Sequence, residues 1–337
     1  MIELQTQIET TWKKPVQKID KLFGDASYRA YYRIFWSDKS TSILMALPVG
    51  KMSLAEEITN YHGEIREIPF LNIQKYLQHL GLPLPQVLKT NLERGWIFLE
   101  DLGDTRLGDL TEGANEAKLR VLYEQAINLL TEMQKKTAQA GTHRQDCIAF
   151  HRSFDATLLN WEFEHFWEYY VGVKLNIKNE KEHRTFQEET QKITEALLKA
   201  PQVLVHRDFQ SRNLMWHKNR MVLIDFQDAL MGPYVYDMVA LLRDSYIELS
   251  LPLRTHLIHY YCEKMGYPTE DFIRFFHLQT LQRKLKDTGR FVYIDRVKKN
   301  PNFLPFIPRS IGYIKEALKE LPECKTLSEI LQPLWIC

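Results

Sequence analysis

The sequence predicts an α+β chain folded as two lobes, a strand-rich first third followed by a mainly helical remainder. Three observations predict it. Aromatic and aliphatic residues crowd two short runs near the N-terminus. Long helical patterns fill the chain beyond residue 114. Two short apolar runs, and only two, interrupt those patterns.

Taken in order, residues 28–36 (YRAYYRIFW) and 42–49 (SILMALPV) read as strands after a turn at Gly24-Asp25-Ala26-Ser27. Residues 68–80 carry apolar side chains at helical spacing, and Gly81 supplies a stop. Pro83 and Pro85 then lead into GWIFLEDLGD, a strand running into a loop. Residues 114–136 and 154–171 are amphipathic helices, and 181–199 is helical and strongly charged. VLVH (203–206) and MVLID (221–225) read as the strands of one hairpin, and the chain from Tyr236 onward is largely helical. The lobes divide at Leu102-Gly103, into residues 1–102 and 103–337. There is no repeat and no low-complexity segment.

Composition narrows the function classes. At 337 residues the chain is long enough for both lobes to bury a core, and 45% hydrophobic with 26% charged is ordinary for a soluble protein. A formal net charge of +1 argues against a general nucleic-acid binder. Cys147, Cys262, Cys324 and Cys337 lie far apart with no C-x-x-C pair, which fits a reducing compartment rather than a zinc site. MIELQTQIETTW has acids and amides where a signal peptide is apolar, and no run approaches the length of a membrane span. A soluble, cytoplasmic protein is the expectation.

The chemistry is concentrated in VLVHRDFQSRNLMWHKNRMVLIDFQD. His206-Arg207-Asp208 is followed by Asn213 five residues beyond the aspartate, and by Asp225 at the end of the next apolar run. Phosphoryl transfer needs a carboxylate to orient the attacking hydroxyl and oxygen ligands for nucleotide-bound Mg²⁺. H-R-D-x-x-x-x-N followed by a strand and I-D-F supplies both, in the order kinases use. Asp208 is then the catalytic carboxylate, with Asn213 and Asp225 holding the metal. Turn-forming aspartates and a capping asparagine around a β-hairpin are the bland alternative. No A-P-E motif or activation segment follows Asp225, which argues against a protein kinase.

This stretch resembles the aminoglycoside-phosphotransferase superfamily, whose members have a protein-kinase-like fold. Within it, the chain is most similar to bacterial kinases of cell-wall recycling that phosphorylate N-acetylmuramate and N-acetylglucosamine at the anomeric hydroxyl. The landmarks are GDASYRAYYR (24–33), ILMALP (43–48), LEDLGD (99–104), HRDFQSRNLM (206–215), IDFQDALMGPYVYDMVALLRDSY (224–246), LQRKLKDTGRF (281–291) and IPRSIGYI (307–314). They run almost end to end. The resemblance implies an ATP- and Mg²⁺-dependent kinase whose small-molecule acceptor is an amino sugar. Another alcohol acceptor (aminoglycoside, choline or homoserine) stays open, as does a non-catalytic nucleotide-binding protein.

The nucleotide side departs from the superfamily pattern. The phosphate loop has one glycine, Gly24; its backbone and the Ser27 hydroxyl suit a phosphate cradle, and GDAS reads equally as an ordinary turn. Met45 stands about where most kinases offer a lysine. Arg29, Tyr31 and Arg33 share one strand face by alternation, so an arginine is the candidate replacement cation unless the pair is simply solvated. By place in the chain and by the resemblance, backbone groups from Glu100 to Leu102 fit the adenine edge, although a simple strand-to-loop junction predicts nearly the same residues. The resemblance also implies that His206 and Asp237 support the catalytic loop, though Asp237 reads equally as a first-turn acid on a helix. On the acceptor side, Asp155 and Glu162 lie in a stretch (153–173) with acids and aromatic residues and no Lys or Arg, which suits a sugar and reads equally as an amphipathic helix with its aromatics in the core and its acids in water. Arg243 and Asp244 either pair with each other or face the acceptor.

Overall fold

The computed structural model describes residues 2–22, 29–48, 67–139 and 141–335. It opens on α1 (Ile2–Trp12), an element the sequence reading passed over. Leu4, Ile8 and Trp12 recur every fourth residue and form the stripe that seats this helix on a sheet. That sheet has five antiparallel strands: β1 (Val16–Leu22), β2 (Ala30–Trp36), β3 (Thr41–Ala46), β4 (Val87–Asn91) and β5 (Trp96–Leu99), ordered β1-β2-β3-β5-β4. Its pleat sorts the side chains. Ile34, Trp36, Leu44 and Phe98 turn toward α1, with Trp12 and Trp36 rings 4.9 Å apart. Met45, Ile97 and Leu99 turn to the opposite face and join the main core.

That core runs across the expected lobe boundary. Phe70, Ile73 and Leu77 of α2 (Pro69–His79) pack in one cluster with Leu129 and Leu130 of a later helix, and with Leu204 and Phe226. After the short α3 (Leu107–Thr111) come α4 (Glu116–Gln139) and α5 (Ala156–His165). Phe166–Lys174 then continues α5 as a π-helix, so the predicted single helix over 154–171 changes winding partway. α6 (Glu180–Lys199) follows, capped by Asn179, whose Oδ1 accepts from Glu182 N–H at 3.2 Å.

One expectation is corrected here. VLVH and MVLID do not form a single hairpin. β6 (Gln202–Val205) pairs with β9 (Leu230–Pro233), while β7 (Leu214–His217) pairs with β8 (Arg220–Leu223). Two ribbons therefore flank the 206–213 segment, one before it and one after it. The reason is geometric: the H-R-D loop must leave β6 and enter β7, so β6 finds its partner downstream.

The remainder is α7 (Tyr236–Leu242), α8 (Leu251–Met265), α9 (Thr269–Lys298), α10 (Ile307–Glu320) and α11 (Lys325–Leu331). α9 is buried around most of its girth, including Gln279, Gln282, Arg283, Lys284 and Asp287. Where it crosses the start of the π-helix it carries Gly289, at which a Cβ would lie 2.3 Å from the His165 carbonyl oxygen. Only glycine permits that approach.

Candidate active site

The candidate catalytic loop begins where β6 ends. His206 is buried and its Nε2 lies 2.9 Å from the Ile224 carbonyl oxygen, to which it donates. Burial pushes the ring down to about 4, so it stays neutral at ordinary pH. Its backbone N–H and that of Arg207 both donate to Asp237, at 2.7 and 3.0 Å. Asp237 lies in the first turn of α7 with no exposed surface, and burial lifts its carboxyl to about 7 even with both N–H groups bonded to it. Arg207 needs that restraint, because its φ of +79° is a left-handed conformation that non-glycine residues resist. Downstream, Asp244 does the same for the far end of the loop: Oδ2 accepts from Ser211 N–H at 3.0 Å and from its Oγ at 2.6 Å.

Between these braces, the Asp208 side chain is 42% exposed. Burial of its surroundings opposes the charge, but Arg283, Lys286 and Arg207 outweigh it and hold the carboxyl down to about 2. Asn213 donates from Nδ2 to the Asp208 carbonyl at 2.9 Å, and its own carbonyl accepts from Ile224 N–H at 3.1 Å. The chain thus folds back so that Asp225 follows immediately. Asp225 also has positive φ (+63°), and its side chain is 40% exposed. Burial and the nearby Asp208 carboxylate push its carboxyl upward. Asp225, whose ionisation burial and the Asp208 carboxylate oppose, makes with the nearby Asn213 amide oxygen a hard oxygen donor pair that suits a divalent cation. Among the described residues, no cluster of three or more His, Cys, Asp or Glu forms a metal cage. Two protein ligands completed by phosphate oxygens is the pattern Mg²⁺ favours.

Beside Asn213 and Asp225 opens a cavity of about 440 Å³. The sheet supplies Leu22, Tyr31, Arg33 and Ile43, the 99–104 segment supplies its back wall, and Met215 and Ile224 supply apolar floor. The size and the apolar slot suit a purine nucleotide. Arg29 and Arg33 part company here. Arg29 NH1 sits 3.3 Å from Asp225 Oδ1, next to the metal candidates. Arg33 instead braces the hinge, with contacts to Asp101 at 2.9 Å and Asp104 at 2.8 Å. Met45 is fully buried in the core, so it offers nothing to a phosphate.

In the hinge, Glu100 N–H donates to the Gln86 carbonyl at 2.9 Å, and the Leu102 carbonyl lies 3.1 Å from His217 Nδ1. Glu100 Oε1 also meets Lys218 Nζ at 2.9 Å. Gly24 and Ser27 lie outside the described residues.

Three acceptor candidates are placed elsewhere than expected. Asp155 caps α5, its Oδ1 accepting from Leu158 N–H at 2.8 Å. Glu162 has no exposed surface; it lies under the loop, 3.4 Å from Arg207 NH2 and 3.9 Å from Lys286 Nζ, and accepts from Gln282. Arg243 is buried against Glu316, with its guanidinium 4.8 Å above the Tyr313 ring. Buried and already paired, neither Glu162 nor Arg243 presents itself to an acceptor. Arg243 and Asp244 do not pair with each other either.

The sequence reading assigned no role to Arg283 of α9, whose NH2 reaches Asp208 Oδ1 at 3.1 Å. No local signal marked it: in LQRKLKDTGRF the leucines Leu281 and Leu285 recur one turn apart, so the charges read as an ordinary solvated face.

A model of the phosphotransferase enzyme family matches residues 24–276. The N-acetylmuramate/N-acetylglucosamine kinase of Neisseria meningitidis is 31% identical over 99% of this chain and 95% of its own. The enzyme of the same name from Pseudomonas aeruginosa is 29% identical over 92% of this chain and 87% of its own. A crystal structure of choline kinase from Cryptosporidium parvum superposes with a TM-score of 0.64 at 13% identity, covering 97% of this chain and 98% of that one.

Proposed function

The chain belongs to the phosphotransferase enzyme family and is a kinase acting on a hydroxyl group; from that premise we propose that it transfers the γ-phosphoryl group of ATP to the anomeric hydroxyl of an N-acetylated amino sugar. The carrying observation is the partly exposed Asp208 carboxylate held beside Asn213 and Asp225 at the edge of a nucleotide-sized cavity. The acceptor class comes from relatives that match most of this chain and bear the name of an amino-sugar kinase.

In this reading the adenine edge takes backbone groups between Glu100 and Leu102 that the Gln86 and His217 contacts leave over. Ile43, Leu99 and Ile224 supply apolar faces for the ring. Asn213 and Asp225 hold Mg²⁺, which when bound neutralises phosphate charge. Arg29 replaces the strand lysine, and Gly24 and Ser27 remain the phosphate-cradle candidates that the sequence offers. Asp208 accepts a hydrogen bond from the acceptor hydroxyl and points its oxygen toward the γ-phosphorus. A carboxylate held near 2 is a weak base, so its first task is orientation, with the proton leaving late.

The test is ADP release with N-acetylmuramate, N-acetylglucosamine, their methyl glycosides, kanamycin, choline and homoserine. Both free sugars should turn over with far higher kcat/KM than the other acceptors, and the methyl glycosides should be inert because their anomeric oxygen is blocked. A methyl glycoside reacting as fast as the free sugar would move the transfer to another hydroxyl. Turnover of kanamycin, choline or homoserine alone would replace the acceptor class.

A further inference from the structure

Arg283 stands 75 residues from Asp208 and seven residues past the end of the family model's match. It is fully buried, where a guanidinium is costly unless its arms find partners. NH1 donates to the Arg207 carbonyl at 2.8 Å, NH2 to Asp208 Oδ1 at 3.1 Å, and the cation lies 5.0 Å from the centre of the Tyr236 ring. One side chain therefore holds the backbone of one loop residue and the carboxylate of the next. Asp237 holds the same turn from the other side, through the N–H groups of His206 and Arg207.

Asp287, one helical turn away on α9, is a buried acid that attracts the Arg283 cation, but its hydrogen bond comes from Lys284 at 2.8 Å, and the hydrogen bond of Arg283 goes to the carboxylate at the cleft. Without a partner, the 42%-exposed Asp208 side chain has room to change rotamer.

We propose that Arg283 is the positioning residue for Asp208: by tying one carboxylate oxygen to the preceding carbonyl, it fixes the rotamer that presents the other oxygen to the acceptor hydroxyl. This rests on the reading of Asp208 as the catalytic carboxylate. It also makes the C-terminal part of α9, beyond the matched family region, a working part of the catalytic loop. The arginine contributes to the ionisation of Asp208 as well, being first among the cations that hold the carboxyl low.

The experiment compares Arg283→Lys, Arg283→Ala and Asp208→Asn with the parent. It reads kcat and KM for ATP and N-acetylglucosamine, with and without millimolar methylguanidinium. Lysine keeps the charge but loses the two-armed geometry, so Arg283→Lys should lower kcat by about 10²-fold, the scale of a small misplacement of a reacting group, with KM for ATP little changed. In Arg283→Ala kcat should fall at least as far, and methylguanidinium should partly restore it. Should Arg283→Ala fail to fold, Arg283→Lys decides through its kcat and KM split. An Arg283→Lys protein with parental kcat, or a folded Arg283→Ala whose KM for ATP rises as much as its kcat falls, overturns the proposal. If Asp208→Asn itself keeps parental turnover, the catalytic assignment fails first and Arg283 is scaffold. If N-acetylglucosamine does not turn over, the same split is read on whichever acceptor of the panel does.

Discussion

The H-R-D loop and the 99–104 hinge segment are both tied down by charged side chains, and the two sets of ties differ in exposure. At the loop, Asp237, Asp244 and Arg283 have 0%, 1% and 0% of their surface exposed, and each bonds backbone or the Asp208 carboxylate. At the hinge the Arg33–Asp101 pair is largely buried, with side chains 14% and 8% exposed, while Asp104 is 80% exposed beside Arg33 and Lys218 is 69% exposed beside Glu100. A buried tie cannot loosen without stranding a polar group in a low-dielectric interior, whereas an exposed pair exchanges easily for water. In the proposed reaction the loop has to hold one carboxylate to within a fraction of an ångström of a reacting oxygen, whereas the hinge has only to stay in place while a nucleotide enters and leaves.

The sharpest test of this contrast is at its chemical end. Asp208→Asn should cut kcat by at least about two orders of magnitude, the usual scale for loss of such a group, while calorimetric ATP affinity stays close to parental. Parental turnover would take Asp208 out of the mechanism and leave the loop's rigidity without a purpose. Next comes Asp237→Ala, which strands the N–H groups of His206 and Arg207. With each of the two buried donors costing about 1–3 kcal/mol, urea unfolding should show a loss of about 2–6 kcal/mol. A loss under about 1 kcal/mol would erase the distinction between the two regions. The smallest effect belongs to the hinge: Asp104→Ala and Lys218→Ala should each change stability by no more than about 1 kcal/mol and leave kcat near parental. A loss of more than about 2 kcal/mol from either would show that an exposed pair at the hinge counts as much as a buried one at the loop.

Legibility follows the same division. Asp208, Asn213 and Asp225 lie within eighteen residues, and the β7–β8 ribbon between the last two returns the chain to its starting point by local pairing alone. Residue type and spacing are therefore enough to read them. α2, α4 and α6 were likewise legible, because a helix buried on one face writes its period into the sequence. α1 wrote the same period in Leu4, Ile8 and Trp12, and there the signal was present but passed over. Tertiary structure alone decided the rest. Which strand β6 pairs with depends on where the chain returns after Asp225, and no local pattern in VLVH names Leu230–Pro233. Arg29 and Arg33 look equivalent in a two-residue alternation, yet one meets Asp225 and the other Asp101 and Asp104, because the hinge passes over only one of them. Glu162 and Arg283 look like solvated helix charges until α5 and α9 pack beneath the loop. A charged residue's partner is set by the surfaces that meet around it, and contacts across 45 or 75 residues leave no period for a sequence to display.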